Sequence, residues 1–119
     1  MIFGYEKLEV WNKSVDFAVT VIDLIEKRMS KFNHSRLVQQ IEASSTSIGM
    51  NIAEGKGRFS QKEYVHFLYI ARGSLYETMT FLEIMKRKKW ISMGEYNQIE
   101  KNGIEIASMI KGLINSIRG

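Results

Sequence analysis

The sequence predicts an all-α protein, an up-down-up-down antiparallel four-helix bundle with left-handed packing. Three observations predict it. Apolar residues recur at three-four spacing in four long stretches, the period that gathers them on one helix face. No proline interrupts any of them, and proline is the residue that removes a ladder hydrogen bond and clashes with the preceding turn. Serine-led capping boxes stand at the heads of the third and fourth stretches. No segment shows the two-residue alternation of a half-buried strand, and the one Asn-Gly pair, Asn102-Gly103, lies inside a helical pattern.

The first helix is expected over residues 8–29. Leu8, Trp11, Val15, Ala18, Ile22, Ile25 and Met29 form its seam. On the opposite face, Glu9 with Lys13 and Asp23 with Lys27 stand four apart in the favourable acid-first order. Val10, Phe17, Val21 and Leu24 make a second apolar stripe beside the seam. One bundle core needs little more than a single stripe, so the surplus reads either as a subunit interface or as a wide core face.

A polar connection over residues 30–35 leads to a second helix expected over 36–54. Its seam of Val38, Ile41, Ser45, Ile48 and Ile52 is poor in large side chains. The run Ala43-Ser44-Ser45-Thr46-Ser47, with Gly49 close behind, has weak helix propensity, because hydroxyls compete for backbone hydrogen bonds. Such a segment is helical only where a neighbour packs closely and the hydroxyls bond back to carbonyls of their own helix. Gly55 is placed to end the helix in the left-handed conformation.

Ser60-Gln61-Lys62-Glu63 is the first capping box, with Phe59 and Tyr64 at the hydrophobic-staple positions. Tyr64, Leu68, Ala71, Leu75, Thr78, Leu82 and Met85 follow as a seam. The stretch ends in Lys86, Arg87, Lys88 and Lys89, four cations at the negative end of the helix dipole. Trp90-Ile91 is a short hinge. Ser92 and Glu95 repeat the box, with Ile91 and Tyr96 as its staple pair. Tyr96, Ile99, Gly103, Ile106, Ile110, Leu113 and Ile117 form the fourth seam. Short links between long helices give antiparallel neighbours, in a single domain over residues 1–119.

At 119 residues the chain supports one core. The absence of cysteine excludes disulfides, thiolate catalysis and cysteine-ligated metals, and fits a reducing cytoplasm. Met1-Ile2-Phe3-Gly4-Tyr5 has no basic start followed by an apolar run, and the longest apolar stretch, residues 17–22, is too short to span a bilayer. A cytoplasmic protein without a membrane partner is therefore expected. The net charge of +4 permits contact with RNA or DNA without requiring it.

Glu63 and His66 have the Glu-x-x-His spacing of a di-metal bundle, but the other histidine, His34, has Lys31 where its glutamate belongs, and Glu63 serves as a cap. No metal is expected. Gly55-Lys56-Gly57-Arg58 follows a helix rather than a strand, and Gly57 stands where a phosphate loop needs Ser or Thr. Lys56 and Arg58 can hold an anion beside the third helix's first N–H groups. In the competing reading Ser60 and Glu63 satisfy those donors and Arg58 pairs with Glu54. Lys86, Arg87, Lys88 and Lys89 form the densest positive cluster, with Trp90 beside it for base stacking. The cluster also reads as a dipole complement, and Trp90 as a buried hinge. No nucleophile stands with a positioned base and oxyanion donors, so neither an enzyme nor a cofactor is expected.

One longer pattern remains. Gln40-Ile41, Ser47-Ile48, Asn51-Ile52-Ala53-Glu54-Gly55, Arg58, Ser60, Glu63, Phe67-Leu68, Ile70-Ala71, Gly73-Ser74 and Glu77, with the opening Tyr5-x-x-Leu8-x-Val10-Trp11, resemble the signature of the bacterial proteins encoded in intervening sequences of 23S ribosomal RNA genes. The resemblance spans nearly the whole chain and implies the same bundle. That family is similar in turn to the accessory protein of diversity-generating retroelements, a basic pentameric bundle that binds nucleic acid. The likeness implies a homopentamer that binds RNA or another nucleic acid. The alternative is a scaffold that docks a partner protein. It also implies structural roles for Asn51, Glu54 and Gly55, and a polar network with Arg58 and Glu77. Glu42 and Ala43 stand where the family commonly has basic residues, and Gly49 where it has proline, which argues against an RNA contact on the second helix.

Overall fold

The three-four periodicity folds into four long helices, α1 (Glu9–Met29), α2 (Ser35–Lys56), α3 (Gln61–Arg87) and α4 (Met93–Arg118), preceded by one 3-10 turn, Gly4–Lys7. The computed structural model describes residues 3–29 and 34–119; the expected connection at 30–33, Lys31 within it, and the first two residues lie outside the described residues. Each helix packs on its neighbours in sequence, and α4 closes the ring against α1. The molecule measures 45 × 24 × 23 Å. A helix of 27 residues is about 40 Å long, so the helices run along one axis as an antiparallel bundle.

The seams of α3 and α4 are the core. Leu68, Ala71, Leu75, Thr78, Leu82 and Met85 are all buried. In α4 the buried residues are Tyr96, Ile99, Gly103, Ile106, Ile110 and then Ile114, rather than Leu113. A straight helix drifts about 20° per heptad against a strict seven-residue repeat, and about five turns after Tyr96 the inward position has moved on by one residue.

In α1 the core takes the whole second stripe together with Ala18, Ile25 and Met29 of the expected seam. Val10, Phe17, Val21 and Leu24, which the apolar surplus suggested for a subunit interface, are at most 8% exposed and lie inside this chain's own core. Val15 and Val19, by contrast, remain exposed, with Trp11 and Ile22 half-buried beside them. The cause lies in α2. Thr46, Gly49, Met50 and Ala53 border the Trp11–Val15–Ile22 side, and these mostly small side chains leave a shallow apolar groove. The wide interior between four helices takes the larger Phe17 and Leu24.

Helix α2 forms despite its propensities because of its partner α3. Ser44 donates to the Ile41 carbonyl at 3.1 Å, and Thr46 to the Glu42 carbonyl at 2.8 Å, the local back-bonding expected of hydroxyls in a helix. Across the interface Thr78 donates to Ser44 at 2.8 Å, and the Ser47 and Ser74 hydroxyls meet at 2.6 Å. Small polar side chains thus let two backbones approach while satisfying one another.

Gly55 does not cap α2. The helix runs on to Lys56, and its cap is Gly57, in the right-handed region at φ −82° and ψ −3°. Gly55 is buried within the helix, and a Cβ there would lie 2.8 Å from the Phe67 Cβ and 3.2 Å from the Tyr64 carbonyl oxygen. Close approach of α3 requires this glycine. The left-handed residue is at the end of α3 instead: Lys89, at φ 62°. There Trp90 N–H donates to the Met85 carbonyl and Lys89 N–H to that of Lys86, both at 2.9 Å, the double bond of a Schellman cap with lysine in the position glycine usually takes.

The capping boxes are present to different degrees. Ser92 and Glu95 make both bonds of the box, over a buried Ile91 and Tyr96. Ser60 accepts from the Glu63 N–H at 3.1 Å, but Phe59 is 105% exposed, so it does not staple onto Tyr64.

Candidate nucleic-acid surface

The six cations singled out by sequence fall into two clusters at opposite ends of the bundle. Lys56 and Arg58 lie at the α2–α3 turn. Arg58 is tied down locally, ion-paired with Glu54 and stacked 4.7 Å above the Phe67 ring. Lys56 sits 5.8 Å from the centroid of Tyr64. Lys86, Arg87, Lys88 and Lys89 lie at the other end of α3, about 40 Å away. The two clusters do not form one compact site.

The distal cluster is partly neutralised by an acid within the same helix. Glu83 is 2.9 Å from the Lys86 ammonium and 2.8 Å from the Arg87 guanidinium. Hydrogen bonds from these two cations hold the Glu83 carboxyl below the usual range. Lys86 also lies 4.1 Å from the Tyr96 ring centroid. Lys88 and Lys89 have no carboxylate partner among the described residues. Trp90 is half-buried against the core, its ring stands 4.6 Å from that of His34, and Lys88 is 5.6 Å from its centroid.

The motif residues are structural neighbours rather than a reactive group. Asn51 donates to the Ser47 carbonyl at 2.8 Å and reaches the Ser47 hydroxyl at 3.0 Å. Arg58 bonds Glu54 and not Glu77, which is exposed more than four turns along α3. Glu63 is exposed, its N–H held by Ser60. Among the described residues no group of His, Asp or Glu could hold a metal ion, and no helix is long and apolar enough to cross a membrane.

A further surface lies on the outward side of α3. The Arg72 guanidinium stands 4.9 Å from the centroid of Tyr69 and 5.8 Å from that of Tyr76. Arg118, from the end of α4, donates to the Tyr69 hydroxyl at 2.9 Å. These residues belong to no motif. Only the seven-residue interval of Lys62, Tyr69 and Tyr76 marks them in the sequence as sharing one helix face.

The family is decided by the extent of a match. The model described as 23S rRNA-intervening sequence protein fits residues 6–112. The chain belongs to this family. A crystal structure from Bacteroides thetaiotaomicron, described as a protein with unknown function from the S23 ribosomal protein family, is 30% identical. It aligns with a TM-score of 0.78 over 88% of this chain and 97% of its own. No curated protein matches. The span matched to the 23S rRNA-intervening sequence family includes the Asn51–Gly55 run and reaches from the 3-10 turn into α4.

Proposed function

We propose that this chain is a non-enzymatic, homo-oligomeric bundle that binds RNA through its cationic surface. The observation that carries the RNA reading is the end of α3, where four consecutive cations meet the single carboxylate of Glu83. Lys88 and Lys89 are left to face solvent without an acid among the described residues. Phosphates are the partners such a surplus attracts. A family described by the intervening sequences of 23S rRNA fits that partner. The non-enzymatic part rests on the lack of a nucleophile with a positioned base.

Self-association is supported by the groove between α1 and α2, where Val19 and Met50 are 52% and 67% exposed beside Val15 and Trp11. Contiguous apolar surface of this kind marks an interface, and a second copy of the chain is the occupant proposed. The likeness to a pentameric accessory protein points to a ring of five.

Titration of labelled RNA at low and moderate salt tests the first part. Affinity is expected to fall steeply with salt, because each neutralised phosphate releases counterions. Replacing Lys88 and Lys89 together by Ala should lower the logarithmic salt slope by about 2. An absence of binding at low salt overturns the RNA reading. It would leave the scaffold reading, for which the fully exposed Phe59 is the natural contact. A monomer by light scattering at micromolar concentration would overturn the oligomer.

A further inference from the structure

We propose that the outward face of α3, from Tyr69 through Arg72 to Tyr76, is a stacking platform for the unpaired bases of single-stranded RNA. The inference rests on the RNA-binding reading above and adds the form of RNA that is bound and where its bases lie. Tyr69 and Tyr76 are 38% and 55% exposed, on the side of α3 opposite its buried seam. The solvent face of a bundle helix is ordinarily polar or charged. Here two aromatic rings two turns apart, about 10 Å along the axis, are held with one guanidinium between them.

Aromatic and guanidinium planes alternating along a positive groove are what a single strand requires. Its bases lack stacking partners of their own, and every base offers a π face whatever its sequence. A duplex keeps its bases stacked inside and presents mainly phosphates and hydroxyls. Cations stand together at the Tyr69 end of the platform. Lys62 stands seven residues before Tyr69 on the same face, and Arg118 bonds the Tyr69 hydroxyl. Neither they nor Arg72 has a carboxylate partner among the described residues. Farther along, the same face leads to Arg87 and the Lys88–Lys89 end. The nearest free acid, Glu77, is turned about 100° round the helix from Tyr76. The platform therefore runs from Lys62 and Arg118 to the Lys88–Lys89 end, while Lys56 and Arg58 stack on Tyr64 and Phe67 on another side of α3.

The test uses the full chain, a labelled oligouridylate and a blunt RNA duplex of equal length, followed by fluorescence anisotropy over a series from low to moderate salt. The single strand is expected to bind more tightly. Tyr76→Ala should weaken it about tenfold, within the range measured for loss of one base stack, and leave duplex binding and the salt slope unchanged. Tyr76→Phe, which keeps the ring, should bind as the parent does. Tyr76 is exposed, so its removal does not open the core; a thermal melt verifies this. If Tyr76→Ala binds the single strand like the parent while the Lys88/Lys89 variant loses affinity, the platform is wrong and the RNA reading survives. If the parent binds neither probe at low salt, both fall. Loss of self-association in Tyr76→Ala with RNA affinity intact would assign the face to protein contact and overturn the platform.

Discussion

At Gly55 one absent methyl group sets how closely α2 and α3 approach. Alanine is the better helix former by about 1 kcal/mol, so an exposed glycine within a helix invites replacement. Gly55 is the opposite case, since its added Cβ would meet the Phe67 Cβ at 2.8 Å and the Tyr64 carbonyl at 3.2 Å. Neither atom is the far end of a flexible chain. Overpacking of this kind costs about 1–3 kcal/mol, so Gly55→Ala is expected to lower stability by about 1–2 kcal/mol, measured by urea or thermal denaturation. An unchanged or raised midpoint would show that the helices have room to separate there. The sequence marks Gly55 as special through its motif but suggests the wrong cause. A glycine near a helix end looks like a cap, and only the path of α3 shows that it is a contact. Lys89 is the converse, a left-handed residue hidden behind a lysine.

At the scale of elements, α1 and α4 are braced by an ion pair that also caps a helix. Arg28 Nε and Nη2 donate to Glu95 at 2.9–3.1 Å, and the same carboxylate accepts from the Ser92 N–H at 2.9 Å. Partial burial pushes the Glu95 carboxyl up, but the bonds from Arg28 and Ser92 outweigh it and hold the group at about 2, below its ordinary 4.5. The folded state therefore binds this proton less readily than the unfolded chain. The stabilisation is fully present above the ordinary value and is lost as pH falls through about 2. Denaturation midpoints should drop over that window. Glu95→Gln should cost about 1–2 kcal/mol at neutral pH, an amount reduced for solvent screening, and should flatten the drop. Equal pH profiles for the two proteins would show that the brace contributes nothing. The cap is legible, since Ser92 and Glu95 are three residues apart. Arg28 is not, because its partner stands 67 residues away. The inward turn of the second stripe of α1 has a similar origin. Periodicity finds both stripes, and the bulk of the neighbouring helix decides which residues of each turn inward.

For the whole molecule, fold class is legible because each cue acts within one helix: apolar spacing, the absence of proline, and capping serines. Surface function is a matter of combination, and combinations across turns leave weaker traces. Lys86 to Lys89 stand out as a run, yet Glu83, just before them, occupies two of the four. Tyr69, Arg72 and Tyr76 are each ordinary alone. The cations at both ends of α3 also make the bundle a caliper. On the RNA reading, a strand engaging both ends must cover about 40 Å, on the order of a dozen nucleotides at about 3.4 Å each when stacked. Affinity should step upward as oligonucleotides pass that length, and a smooth, proportional rise would mean that the ends act separately. The quantity sensed by such a surface is the extent of unpaired strand, with its base sequence left unread.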